Sequence, residues 1–86
     1  MSQAVNEAPR EDLLRVLHLA LVYLRTAARG RDCEKAEAIA EAIHNIPAML
    51  EVSDRYSYSV KELSEYFIEP LIAQYPDLSD LRPRYQ

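Results

Sequence analysis

The run LLRVLHLALVYL, from Leu13 to Leu24, limits the fold more than any other stretch of the chain. Only Arg15 and His18 interrupt its apolar character. It is too long for a buried strand, which runs about 4–8 residues, and too short for a membrane span, which needs about 20. A helix remains. Its expected start is Pro9, suited to a first helical turn, with Glu11 and Asp12 near the positive end of the helix dipole. Its expected end is Arg29. There Arg25 and Arg29 face the negative end of the dipole, and Gly30, the only glycine, can take the left-handed stop conformation. Leu13, Leu17, Ala20, Leu24 and Ala28 form one stripe, and Leu14, Val16, Leu19, Leu21 and Tyr23 fill much of the remaining circumference. A helix that is apolar nearly all round is packed on more than one side, by other helices of the chain or by a second copy of it.

The rest of the chain reads as amphipathic material arranged around that helix. Residues 1–8 are expected to form a flexible arm. Asp32 is a good N-cap, and CEKAEAIAEAIHNI reads as a helix from Cys33 onward. Ala36, Ile39, Ala40, Ile43 and Ile46 make its inner stripe, while Glu34, Glu37 and Glu41 fall on the solvent side. Pro47 stops or restarts this helix, and Ala48 to Val52 can form a short extra turn with Met49 or Leu50 tucked in. Ser53 to Ser59 is a polar connection. Ser59 and Glu62 match a capping box for a third helix beginning at Val60. On it Val60, Leu63, Phe67, Leu71 and Tyr75 share a face, with Ile68 and Ile72 beside them. Pro70 is expected to kink or split this helix near Glu69, and Pro76 ends it. The tail, residues 77–86, offers two leucines for docking and a basic end at Arg82 and Arg84. The fold class is therefore all-α: one domain, residues 1–86, built as a small antiparallel bundle of three main helices.

Composition narrows the functional classes. The single Cys33 cannot form an internal disulfide, and the N-terminus lacks the basic-then-apolar build of a signal peptide, so a reducing cytoplasm is the expected location. A net charge of −4 and a pI near 5.1 argue against nucleic-acid binding, which needs a basic face. Glu41-x-x-His44 has the spacing of a bundle metal-ligand pair, but a di-metal centre needs two such pairs and two further carboxylates. His18, between apolar neighbours, reads as a core histidine with one hydrogen bond, and Cys33 as a small buried residue. The chain carries no phosphate loop, paired-cysteine motif or nucleophile elbow. No enzymatic activity, catalytic residue, metal or cofactor is expected.

The acidic surface is the stronger signal. Between Glu34 and Glu69, eight acids stand against Lys35, Arg55 and Lys61, with Tyr56, Tyr58 and Tyr66 interleaved. Tyrosines supply contact area and carboxylates supply steering, a composition suited to a protein interface. Glu37, Glu41, Tyr56, Tyr58, Glu62 and Glu65 are the expected contact residues for a basic protein partner. The alternative is a self-associating homodimeric bundle with the first helix at the interface, and a metal-binding helical protein ranks third. Neither membrane nor nucleic acid is an expected partner.

The segment DCEKAEAIAEAIHNIPAML, residues 32–50, follows the lead-in ALVYLRTAARG. Together they resemble small helical bacterial proteins of unassigned function, some of which resemble immunity proteins, the cytoplasmic partners that neutralise toxins exchanged between bacteria. The resemblance spans about half the chain and contains no motif of chemical specificity, so no functional residue carries over. It implies a binding protein whose acidic face covers a basic toxin surface.

Overall fold

The computed structural model describes the backbone of residues 2–51 and 56–84 and the side chains of residues 10–51 and 60–84. All regular structure among them is helical, and no helix is long and apolar enough to cross a membrane. The first helix, α1, runs Ser2–Arg29, roughly 42 Å at 1.5 Å per residue. It thus begins well before Pro9, and residues 2–8, read from the sequence as an arm, continue the same helical backbone. An interior proline removes one backbone bond and need not end a helix whose neighbours are helix-compatible.

The end of α1 departs from expectation at Gly30. Asp32 N–H donates to Ala27 O at 2.9 Å and Arg31 N–H to Ala28 O at 3.0 Å, the paired bonds of a Schellman stop. In that motif the left-handed residue is Arg31, with φ 59°, and Gly30 has no positive φ. Gly30 is one position too early to be the stop glycine. A Cβ at Gly30 would meet Thr26 O at 3.5 Å and Ala27 O at 3.7 Å, ordinary contacts. Gly30→Ala is therefore expected to raise stability by about 0.4–1 kcal/mol through the unfolded chain. Arg31→Gly, which relieves the left-handed strain, is expected to add about 1 kcal/mol. Urea midpoints check both, and a destabilised Gly30→Ala protein would return the special role to Gly30.

Helix α2, Cys33–Ile43, starts as the sequence indicates, with Asp32 Oδ1 accepting from Lys35 N–H at 3.2 Å. Its buried residues are Ile39, Ala42 and Ile43; Ala40, expected inside, is exposed. Cys33 is exposed as well. A short α3, Ile46–Glu51, carries Pro47 in its first turn, where a missing N–H costs no bond; Ile46 is fully buried and Met49 and Leu50 half-buried.

Helix α4 spans Tyr56–Leu63, so Ser59 lies within it and does not cap a helix starting at Val60. Residues Ser64–Ile68 form a π turn, in which Glu69 N–H bonds to Ser64 O, and α5, Glu69–Gln74, comes next with Pro70 in its first turn. The division near Glu69 is the one that Pro70 demands. Its form is a widening of the helix, which acts as one inserted residue and rotates α5 by roughly 100°. The core stripe changes accordingly. Ile68, Leu71 and Ile72 are buried in line with Val60, Leu63 and Ser64, while Phe67 and Tyr75, expected inside, are half-buried.

The C-terminal segment completes the core. Pro76–Leu81 is a 3-10 helix whose Leu78 and Leu81 are 0% exposed, packed in one cluster with Leu13, Val16 and Ala20 of α1 and Ile39 of α2. Polar contacts hold it there. Asp12, 6% exposed, accepts from Arg15 Nε at 2.9 Å and from the Arg84 backbone N–H at 2.6 Å. Arg15 also donates to Asp80 O at 2.9 Å and Arg82 O at 3.1 Å. Lys35 pairs with Asp77 at 2.6 Å, and Arg82 grips Glu69 through two bonds of 2.6 and 2.9 Å.

Candidate functional site

Helix α2 carries Glu37 and Glu41 one turn apart on its exposed side. Like charges at this spacing oppose helix formation by about 0.2–0.5 kcal/mol, so the local fold gains nothing from them. Behind them Ala38 and Ala42 face the π turn and α5. Their small side chains leave room for a shallow depression of about 290 Å³, floored by Ala42, Phe67 and Leu71 and edged by Glu41, Tyr66 and Gln74. Tyr66, on the outer side of the π turn, is 68% exposed. Phe67 is held by an edge-on contact with His44, ring centres 5.9 Å apart and planes at 83°. A second, more open depression of about 450 Å³ adjoins the first across Glu41 and is lined by Glu37, Ala40, Glu41 and His44.

Two of the residues expected from the sequence, Glu37 and Glu41, meet at this surface. Glu62 is exposed one turn before Tyr66, and Glu65 is exposed on the π turn; neither lines these two depressions. Tyr56 and Tyr58 lie on α4, with side chains outside the described residues. The edge of the groove that residue spacing missed is Tyr66, set between Glu65 and Phe67. Its signal was its place in the turn before Pro70, where widening turns it out and leaves Phe67 beside α2.

The acids of the chain divide by role. Asp12, Glu69, Asp77 and Asp80 each accept a hydrogen bond that ties distant segments together, and Asp32 caps α2. The Arg82 guanidinium, by hydrogen bond and charge, holds the Glu69 carboxyl below its usual range, and the Lys35 ammonium does the same to Asp77. Lys35 is pushed up in return by its hydrogen bond to Asp77. Burial, and then the nearby Asp80 carboxylate, push the Tyr23 hydroxyl up. Glu34, Glu37, Glu41, Glu62 and Glu65 are exposed, and none enters an ion pair among the described residues.

Metal and base chemistry find less support in the geometry. His44 Nδ1–H donates to the Glu41 carbonyl oxygen at 2.5 Å, a helix-end bond that occupies one ring nitrogen. Among the described residues no group of three or more His, Cys, Asp or Glu side chains is placed to hold a metal ion. His18, read from the sequence as a core histidine, is exposed on the outer side of α1. Its apolar neighbours in sequence point elsewhere around the helix. Comparison of the chain with protein families, curated proteins and solved structures finds no match.

Proposed function

We propose that this chain is a small cytoplasmic protein-binding module that meets a basic partner over α2 and the π turn. In this reading the helices form an antiparallel bundle, and its acidic face covers the working surface of its partner in the manner of an immunity protein against a toxin. The observation that carries the reading is the division of the acids. Among the described residues, the carboxylates that stabilise the fold sit at helix ends and junctions, whereas Glu37 and Glu41 stand without an ion pair beside a shallow groove edged by an exposed tyrosine. Unpaired charge speeds encounter with an opposite surface, and a desolvated ring in a groove holds the complex once formed.

The test is an untagged pull-down from native extract at low and high salt, followed by titration of the captured protein. Reversal of two steering charges in Glu37→Lys/Glu41→Lys is expected to weaken binding tenfold or more, roughly 1.4 kcal/mol, chiefly through a slower on-rate at low salt. The far-UV spectrum is expected to stay unchanged, because both residues are exposed. Affinity that is insensitive to both the substitutions and salt would reject the acidic face as the contact surface.

A further inference from the structure

The outer face of α1 has a charge order that the acidic-face reading leaves unused. Opposite the buried line of Leu13, Val16, Ala20 and Ala27, the helix presents Glu11, Leu14, His18, Leu21, Val22 and Arg25 on one side. Leu21 is 39% and Val22 57% exposed. From N- to C-terminus the stripe therefore runs from an acid, Glu11, through a mainly apolar centre that holds His18, to the bases Arg25 and Arg29. Glu11 and Arg25 have no ion-pair partner among the described residues, and they stand about 21 Å apart along the helix, too far to meet each other.

We propose that a second copy of this chain docks on this face with its α1 antiparallel, the two helices crossing near His18. Such a contact is isologous, so whatever one copy offers must be complemented by the same stripe reversed. Reversal brings Glu11 of each copy opposite Arg25 of the other and lays Leu14 against Leu21 and Val22. A parallel arrangement would stack like charges at both ends and is disfavoured for that reason. A single helix crossing buries less than the roughly 1,200 Å² of a standard interface, so the dimer belongs to the weak, reversible class. The residues used differ from those of the acidic groove, so dimerisation and partner binding can occur together or fail separately.

The test is sedimentation of the full chain from micromolar to millimolar concentration. The wild type is expected to show a monomer–dimer equilibrium. Glu11→Arg and Arg25→Glu are each expected to weaken the dimer by roughly tenfold or more, since each sets like charges together twice. An equimolar mixture of the two variants is expected to dimerise again, because each supplies the charge the other lacks. Val22→Asp, at an exposed position, is expected to abolish association while keeping the helical spectrum. A wild type that stays monomeric throughout, or a dimer indifferent to all three substitutions, would overturn the proposal. So would single variants that weaken the dimer without recovery on mixing.

Discussion

Leu78→Ala and Leu81→Ala are each expected to cost about 2–5 kcal/mol, the range for truncating a leucine in a packed core. Both side chains are wholly enclosed in the cluster that α1 and α2 share. A domain of this length is stable by only about 0.05–0.15 kcal/mol per residue, so either change removes a large part of the total and the pair together is expected to unfold the protein. Urea denaturation followed by far-UV signal measures each loss. A loss under about 1 kcal/mol for both would mean that the 3-10 segment rests on a finished core and is not part of it.

The second large effect centres on Asp12. Its carboxylate is nearly enclosed and joins Arg15 to the Arg84 backbone N–H, while Arg15 reaches two carbonyls of the C-terminal segment. Asp12→Ala strands these donors, and its expected cost is about 2–4 kcal/mol, with the Arg15 share reduced because that side chain is 26% exposed. Asp12→Asn keeps one acceptor oxygen, so its loss is expected to be clearly smaller. If the two substitutions cost the same, charge and not hydrogen bonding holds the junction. If neither costs about 1 kcal/mol, the junction contributes little to the fold.

The sequence exposed the elements better than their phases. Apolar spacing located α1, α2 and the run around Pro70, and Asp32 caps α2 as its type and position indicate. The docking of Leu78 and Leu81 was legible because two leucines three apart in an otherwise polar tail need a place to go. The capping box at Ser59 was misleading, because local spacing cannot reveal that a helix has already begun upstream. The π turn was hidden for a related reason. Period counting assumes a constant turn of about 100° per residue, so Phe67 and Tyr75 counted as core and Ser64 did not. At the candidate site, the charges on α2 could be read directly. The groove beside them could not, since it depends on which way the widened turn aims Tyr66 and Phe67. His18 failed by the same rule, as apolar neighbours in sequence are not neighbours around a helix.

The Asp12–Arg15 junction also has a bearing on when the chain can become native. It joins residues 65–72 positions apart, so the part of the first helix that Leu78 and Leu81 cover stays open until the C-terminal segment is present, although α2 can pack on α1 earlier. On a ribosome adding about 5–20 residues per second, that part of the helix waits several seconds uncovered. Closing so long a loop also carries an entropic cost that helix formation alone does not meet. Folding is therefore completed only when the segment from Pro76 to Arg84 docks, and a chain stalled or clipped before it is an aggregation hazard rather than a smaller working protein.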